Sequence, residues 1–246
     1  MRKYFVIGNP IGHSLSPKLH NFWLKENNIN ATYDKIKLEI NNIGNFIKDI
    51  KEEKIAGCNV TVPFKKAVIP FLDKLSFEAE QTKSVNTIIL DDGNLVGHNT
   101  DIVGFNKAIE NLNFNMKGKK ILLLGAGGVV PSIIFALQKM RVAEINISNR
   151  TKEKAENMKN QFINTKVVEW GNLPDFDVVI NATSLGLNNE KINLDFSKVG
   201  KNKLFYDVIY NPEETIFLRE GKNEGNITEN GKLMFIYQAS EAFYLW

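Results

Sequence analysis

The chain has a single cysteine, Cys58, in 246 residues. That excludes an internal disulfide and suits a reducing compartment, so the cytoplasm is the expected location. Histidine is almost as scarce: His13, His20 and His98 show no metal-ligand spacing. With no Cys/His cluster, no metal site is expected. Neither a G-x-S-x-G turn nor a Walker loop occurs, which leaves hydrolase and kinase readings without support. Long apolar runs are missing as well, so no membrane span is expected. Met1-Arg2-Lys3 leads into only Tyr4–Ile7 before a turn, which does not read as a signal peptide. Nor is there an excess of one charge. Lys and Arg number 31 against 28 Asp and Glu, interspersed, for a net +3. This is a solvated surface rather than a nucleic-acid face, and a mild positive balance suits anionic small molecules.

A hydrophobic content of 43% and a charged content of 24% are ordinary for a globular protein with one large or two small domains. The chain is organised around Lys119–Pro131, KKILLLGAGGVVP. Ile121–Leu124 is a continuous apolar run, the pattern of a strand buried on both faces of a parallel sheet. Gly125, Ala126, Gly127, Gly128 and Val129 then form a tight turn that a ligand's phosphate can approach closely. Pro131 falls in the first turn of the helix that follows. The third glycine of the G-x-G-x-x-G fingerprint is replaced by Val130, so the match is near and not complete. A later strand, Glu144–Ser148, ends in Asn149-Arg150-Thr151. An acidic residue there would hold the 2′-hydroxyl of NAD. Arg150 can instead fork onto a phosphate, with Thr151 as N-cap and Lys154 as a second cation in the first helical turn. This pattern points to NADP.

The front half is polar at its strand ends. Ser14 and Ser16 stand two residues apart at a helix start, with Ser16 expected as N-cap and Pro17 as first helical residue. They read either as a carboxylate cradle or as a local serine turn. Ile43, Phe46, Ile47 and Ile50 recur at helical spacing, as core residues would. Asn59 and Thr61 share a face by the period of two, and Pro63 stops that strand before Lys65. Asp91-Asp92-Gly93 reads as a hairpin turn. Asn86, Asn99, Thr100 and Asp101 sit at strand ends in the same half. Amides, a hydroxyl and a carboxylate are what a polyhydroxylated substrate requires. Asp101 reads as an acid–base partner for Lys65, as N-cap of a helix over Ile102–Asn113, or as both. The last helix, Lys232–Trp246, is apolar nearly all round and is expected to be buried, so Gln238 within it needs a partner.

Taken in order, these stretches resemble the shikimate dehydrogenase family. The resemblance is carried by Gly8–Pro17 with His20 and Asn21, by Asn59–Pro63 with Lys65, and by Val85-Asn86-Thr87 and Asn99-Thr100-Asp101 with Gly104. It continues through Gly125–Gly128, Asn149-Arg150-Thr151, Asn181-Ala182-Thr183, Asp207 with Tyr210, Pro212 and Thr215, and Asn230-Gly231 with Met234, Gln238, Phe243 and Trp246. It implies an α/β protein with an N-terminal α/β substrate domain, residues 1–103 and 232–246. A Rossmann-type doubly wound cofactor domain, residues 104–231, would follow, with a cleft between the two.

By this likeness Ser14 and Ser16 contact the substrate carboxylate, with Thr61 nearby and Tyr210 beside it. Lys65 and Asp101 flank the reacting hydroxyl, and Asn86 and Gln238 hold ring hydroxyls. Gly125–Val129, Asn149–Lys154, Val208 and Gly231 line NADP. The implied reaction is NADPH-dependent reduction of 3-dehydroshikimate to shikimate. Lys65 acts there either as the proton carrier or as an oriented cation with water taking the proton. The implied partners are the small-molecule substrate alone, with neither nucleic acid nor membrane, in a monomer or homodimer. Competing readings are a quinate/shikimate dehydrogenase with broader cofactor use and a non-catalytic NADP-binding sensor. Val130 and Pro131, Lys154 in place of an arginine, and an end at Trp246 depart from the family pattern.

Overall fold

A computed structural model describes all 246 residues, in two compact units. Unit 1 is Met1–Gly104 with Ile236–Trp246, and unit 2 is Phe105–Phe235. Unit 1 runs β1 (Arg2–Gly8), α1 (Ser16–Glu26), β2 (Ala31–Lys37), α2 (Ile43–Lys51), β3 (Gly57–Val60), β4 (Lys74–Leu75), α3 (Phe77–Thr82), β5 (Thr87–Asp91) and β6 (Asn94–His98). α4 (Asp101–Asn111) carries the chain into unit 2. There follow β7 (Lys120–Leu124), α5 (Val130–Lys139), β8 (Glu144–Ser148), α6 (Lys152–Gln161), β9 (Thr165–Val168), β10 (Val178–Asn181), β11 (Leu204–Asp207), α7 (Ile216–Asn223) and β12 (Ile227–Glu229). α8 (Lys232–Leu245) returns to unit 1. No helix is long and apolar enough to cross a membrane.

The sheet of unit 1 has the order β2-β1-β3-β5-β6-β4. β1 pairs in parallel with β2 and β3, whereas β5 runs antiparallel to β3 and β6. The β5–β6 hairpin closes on Asp92-Gly93, both at positive φ (44° and 72°), which gives the two-residue turn that matches strand twist. Alternation along β1 splits the core. Ile7 joins Ile43, Phe46, Ile47 and Ile50 of α2 on one face. Tyr4 and Val6 pack with Leu24, Tyr33, Phe243 and Trp246 on the other.

The sheet of unit 2 is wholly parallel, in the order β12-β11-β10-β7-β8-β9. Counted from β7, this is the doubly wound order 3-2-1-4-5-6, with its switch point between β7 and β10. Ile121–Leu124 is fully buried, as its unbroken apolar run requires. The crossover from β10 to β11 contains no helix. Ile192, Leu194 and Phe196 cover Phe205 and Phe217 in its place.

Two local expectations fail. Leu15, not Ser16, is the N-cap of α1, and no side chain caps that helix. Ser16 and Pro17 occupy its first positions, because the turn before it is closed by Ser16 N donating to Ser14 Oγ at 3.3 Å. α8 is not buried throughout: Met234, Ala239 and Ala242 are buried, but Tyr244 is 83% exposed. Four of its apolar residues, Phe235, Tyr237, Phe243 and Tyr244, are aromatic, and a large ring can reach the core with one edge while the other stays wet.

Candidate active site

In unit 1 a buried ion pair joins Lys65 and Asp101, which are 9% and 6% exposed. Lys65 lies in the turn after Pro63, tied down by Val85 N donating to its carbonyl at 2.9 Å. Asp101 opens α4, and its other oxygen accepts from Asn86 Nδ2 at 3.0 Å. Asn86 is itself fixed through its backbone: its carbonyl accepts from Val60 N at 2.8 Å and its N–H donates to His98 O at 2.9 Å. Its side-chain oxygen takes Thr100 N at 2.8 Å, and Nδ2 also reaches Thr100 Oγ1 at 2.9 Å and Gln238 Oε1 at 3.4 Å. Gln238 thus has the partner its place in α8 demanded.

The network continues toward α1. Asn59 Nδ2 donates to Thr87 Oγ1 at 3.0 Å and to Asn86 O at 3.2 Å. Asn59 Oδ1 accepts from the Tyr33 hydroxyl at 2.6 Å. Thr61 follows the end of β3, its N–H on Ile7 O at 2.9 Å. The structure therefore brings together Lys65, Asp101, Asn86 and Gln238 in one network, whereas Ser14 and Ser16 meet in the turn bond before α1. Tyr210 belongs to unit 2, where its ring stacks on Phe235 at 4.6 Å. Tyr33 was not singled out in the sequence. The available signal was a lone tyrosine in a mostly exposed strand, whose hydroxyl needs a partner if the ring is buried.

In unit 2 the glycine turn stands at the switch point. Gly125 has φ +110°, and a Cβ on it would lie 2.7 Å from Ala182 O, so no other residue fits there. A Cβ on Gly127 would meet nothing within 4 Å, leaving open space on that side of the turn. Val129 is the N-cap of α5 without a side-chain cap bond, and Pro131 lies in the first turn. Beyond β8, Asn149 Nδ2 donates to Thr151 O at 2.8 Å. Thr151 is the N-cap of α6, also without a side-chain cap bond. Arg150 and Lys154 are exposed and paired with no carboxylate. A glycine cradle open on one side, with two unpaired cations at the next strand end, fits a dinucleotide carrying an extra phosphate.

Loops after β10 and β11 are tied by Asp207. Its buried carboxylate accepts from Thr215 Oγ1 at 2.6 Å, Ile209 N at 3.0 Å and Asn181 Nδ2 at 3.1 Å. Burial pushes its pKa up to about 6. Gly231 N donates to Ile209 O at 3.0 Å, and any Cβ there would run into the Val208 carbonyl.

A doubly wound parallel sheet with a glycine turn at its switch point is a dinucleotide-binding domain. Together with an α/β unit holding a buried lysine–carboxylate pair, it defines a dinucleotide-dependent oxidoreductase. The chain belongs to the shikimate dehydrogenase family. Residues 6–88 match the model of the shikimate dehydrogenase substrate binding domain, and residues 106–208 match that of shikimate / quinate 5-dehydrogenase. The chain is 56% identical over 248 residues to an NADP(+) shikimate dehydrogenase of Pelagibacter ubique, covering 100% of this chain and 94% of the relative. It superposes with TM-score 0.91 on shikimate dehydrogenase from Aquifex aeolicus, at 35% identity over 100% of this chain and 92% of that one. The TM-score is also 0.91 to shikimate 5-dehydrogenase from Thermus thermophilus in complex with NADP(H) and shikimate, at 31% identity over 100% and 93% of the two chains.

Proposed function

We propose that this protein catalyses the reversible NADPH-dependent reduction of 3-dehydroshikimate to shikimate. Unit 1 takes the substrate and unit 2 the cofactor. The observation that carries the reading is the buried Lys65–Asp101 pair held by Asn86, whose amide also reaches Gln238. A charge pair is expensive to bury and is retained here among amides and hydroxyls, where a hydroxylated ring would find its partners.

NADPH, when bound, supplies the hydride that reaches C3 of the substrate. Lys65 is the proton donor to the carbonyl oxygen as that oxygen gains charge, and is then reprotonated from water. In the oxidative direction Lys65 takes the hydroxyl proton while the C3 hydrogen leaves as hydride, so protons and electrons balance both ways. Asp101 fixes the ammonium and shares the substrate hydroxyl with it. Asn86 and Gln238 hold the remaining ring hydroxyls, and Ser14, Ser16, Thr61 and Tyr210 take the carboxylate. Gly125–Val129 cradle the pyrophosphate, Asn149–Lys154 hold the adenosine ribose and its 2′-phosphate, and Val208 and Gly231 line the nicotinamide end. The substrate set needs no second subunit, so monomer and homodimer serve equally. One buried thiol, Cys58, and no disulfide suit a reaction in the cytoplasm.

The test is an absorbance assay for reduced nicotinamide with shikimate and NADP, then with quinate, then with NAD. Rapid reduction with the first pair and slow reduction with the others is the expected result. No shikimate-dependent reduction with either cofactor would overturn the assignment.

A further inference from the structure

Asp207, the last residue of β11, is a buried carboxylate that no step above uses. It is 0% exposed and pairs with no cation. A carboxylate kept from water without a counterion destabilises the fold unless hydrogen bonds hold it. Here Oδ1 accepts from Ile209 N and Asn181 Nδ2, and Oδ2 accepts from Thr215 Oγ1. Asn181 and Thr215 are 0% exposed as well, so water cannot replace either donor.

Each donor leads to a different stretch at the C-terminal edge of the parallel sheet. Asn181 shapes the loop after β10: its Nδ2 also donates to Leu185 O at 3.0 Å, and its Oδ1 accepts from Thr183 N at 3.1 Å and Thr183 Oγ1 at 2.7 Å. That loop lies against the glycine turn, through the Ala182 carbonyl that stands so close to Gly125. Thr215 caps α7, accepting from Leu218 N at 3.4 Å. A Cβ on Gly186 would come within 3.1 Å of the Thr215 methyl and 3.2 Å of Ile209, so the loops after β10 and β11 touch. Val208 N donates to Asn181 O at 2.9 Å, and Ile209 O accepts from Gly231 N ahead of α8. Val208 and Ile209 therefore stand between the β10 loop and the start of α8, and the Asp207 carboxylate joins what flanks them. We propose that Asp207 is a positioning residue for the nicotinamide end of the cofactor, fixing the Val208–Ile209 backbone through Asn181 and Thr215. This rests on the assignment of Val208 and Gly231 to that end.

The test is calorimetric binding to the cofactor-free protein with two probes. One is NADP. The other is adenosine 2′,5′-bisphosphate, which has the same adenosine end and no nicotinamide. Asp207→Asn keeps the shape of the side chain and takes away its charge. Its Kd for NADP rises roughly threefold to tenfold, as one weakened hydrogen-bond set predicts. Its Kd for the bisphosphate stays within about twofold. Turnover falls about tenfold, because a misplaced reacting carbon slows hydride transfer. Thr215→Val removes one donor at nearly constant shape and gives the same split between probes. Thr215→Ser keeps the hydroxyl and returns both constants to within about twofold of the parent. Equal weakening of both probes, the mark of a generally loosened domain, overturns the inference. So does an unchanged NADP Kd in both Asp207→Asn and Thr215→Val. Val208→Phe tests the assignment beneath. If it leaves both constants unchanged, Val208 does not line the nicotinamide end, and this inference fails with that assignment. A parent that binds no NADP would defeat the proposed function itself.

Discussion

The two units bury polar groups for different ends. In unit 1 buried side chains bond to one another: Lys65 to Asp101, Asp101 to Asn86, Asn86 to Gln238, and Asn59 to both Thr87 and Tyr33. In unit 2 the buried acid Asp207 ties loops, and the positions proposed to hold the cofactor are glycine backbone and two exposed cations. A small hydroxylated ring offers many polar atoms in little space, so its site must be built from side chains fixed in advance. A dinucleotide carries its charge on phosphates, which backbone N–H groups and surface cations hold without buried charge. The units also differ in what pH does to them. Burial holds the imidazole of His20 in unit 1 down to about 3, and the Asp207 carboxyl in unit 2 up to about 6.

The largest effect expected is from Lys65→Ala, which breaks unit 1 and spares unit 2. Turnover falls by a factor of roughly a hundred to ten thousand, the range of a lost acid–base group. NADP binding, followed by quenching of tryptophan fluorescence, is unchanged. The variant melts earlier, because Asp101 loses its ion-pair partner in a buried site. Normal turnover would remove Lys65 from the chemistry.

Acid stability separates the units next. His20 stays neutral when folded while the unfolded chain takes up a proton below its ordinary value of 6.5. Unit 1 therefore loses stability as pH falls from 6.5 toward 3, by about 1.4 kcal/mol for each unit. Asp207 runs the other way. Its folded form binds the proton first, so unit 2 gains stability as pH falls from 6 toward 3.8, with about the same slope. The two offset each other in the whole chain, and single variants uncover them. Denaturant melts at pH 7 and pH 4.5 should show His20→Phe gaining on the parent by roughly 2 to 3 kcal/mol at the lower pH. Asp207→Asn should lose ground to the parent over the same interval. Parallel curves for parent and variant would show that neither group is linked to folding.

Arg150→Ala sharpens the contrast from the other side. The KM for NADP should rise roughly tenfold to a hundredfold, the worth of a charge-assisted bond to phosphate. The KM for NAD and the KM for shikimate should not move. Lys154→Ala gives the same pattern at about twofold to fivefold, as suits an exposed point charge. An equal loss for NAD and NADP would mean that these cations do not read the 2′-phosphate.

The parts legible in the sequence were those encoded locally. The apolar spacing of Ile43, Phe46, Ile47 and Ile50 gave α2, Asp92-Gly93 gave the hairpin, and Ile121–Gly128 gave the strand and turn at the switch point. Polar residues at strand ends marked where Lys65, Asn86 and Asp101 meet. What was not legible depends on distant partners or on a balance of small terms. Tyr33 acquires its place from Asn21, His20 and Asn59, which lie on other elements. Ser16 missed the cap because Ser14 closes the preceding turn. The burial of α8 was overstated because a helical pattern counts apolar residues without weighing how much of each ring is covered, as Tyr244 shows.

Direct hydride transfer with proton handling on unit 1 is tested most plainly with shikimate deuterated at C3. Incubated with NADP and the protein, it should yield reduced nicotinamide carrying the deuterium at C4, with none released to water. Deuterium in the solvent, or reduced cofactor without label, would contradict the account.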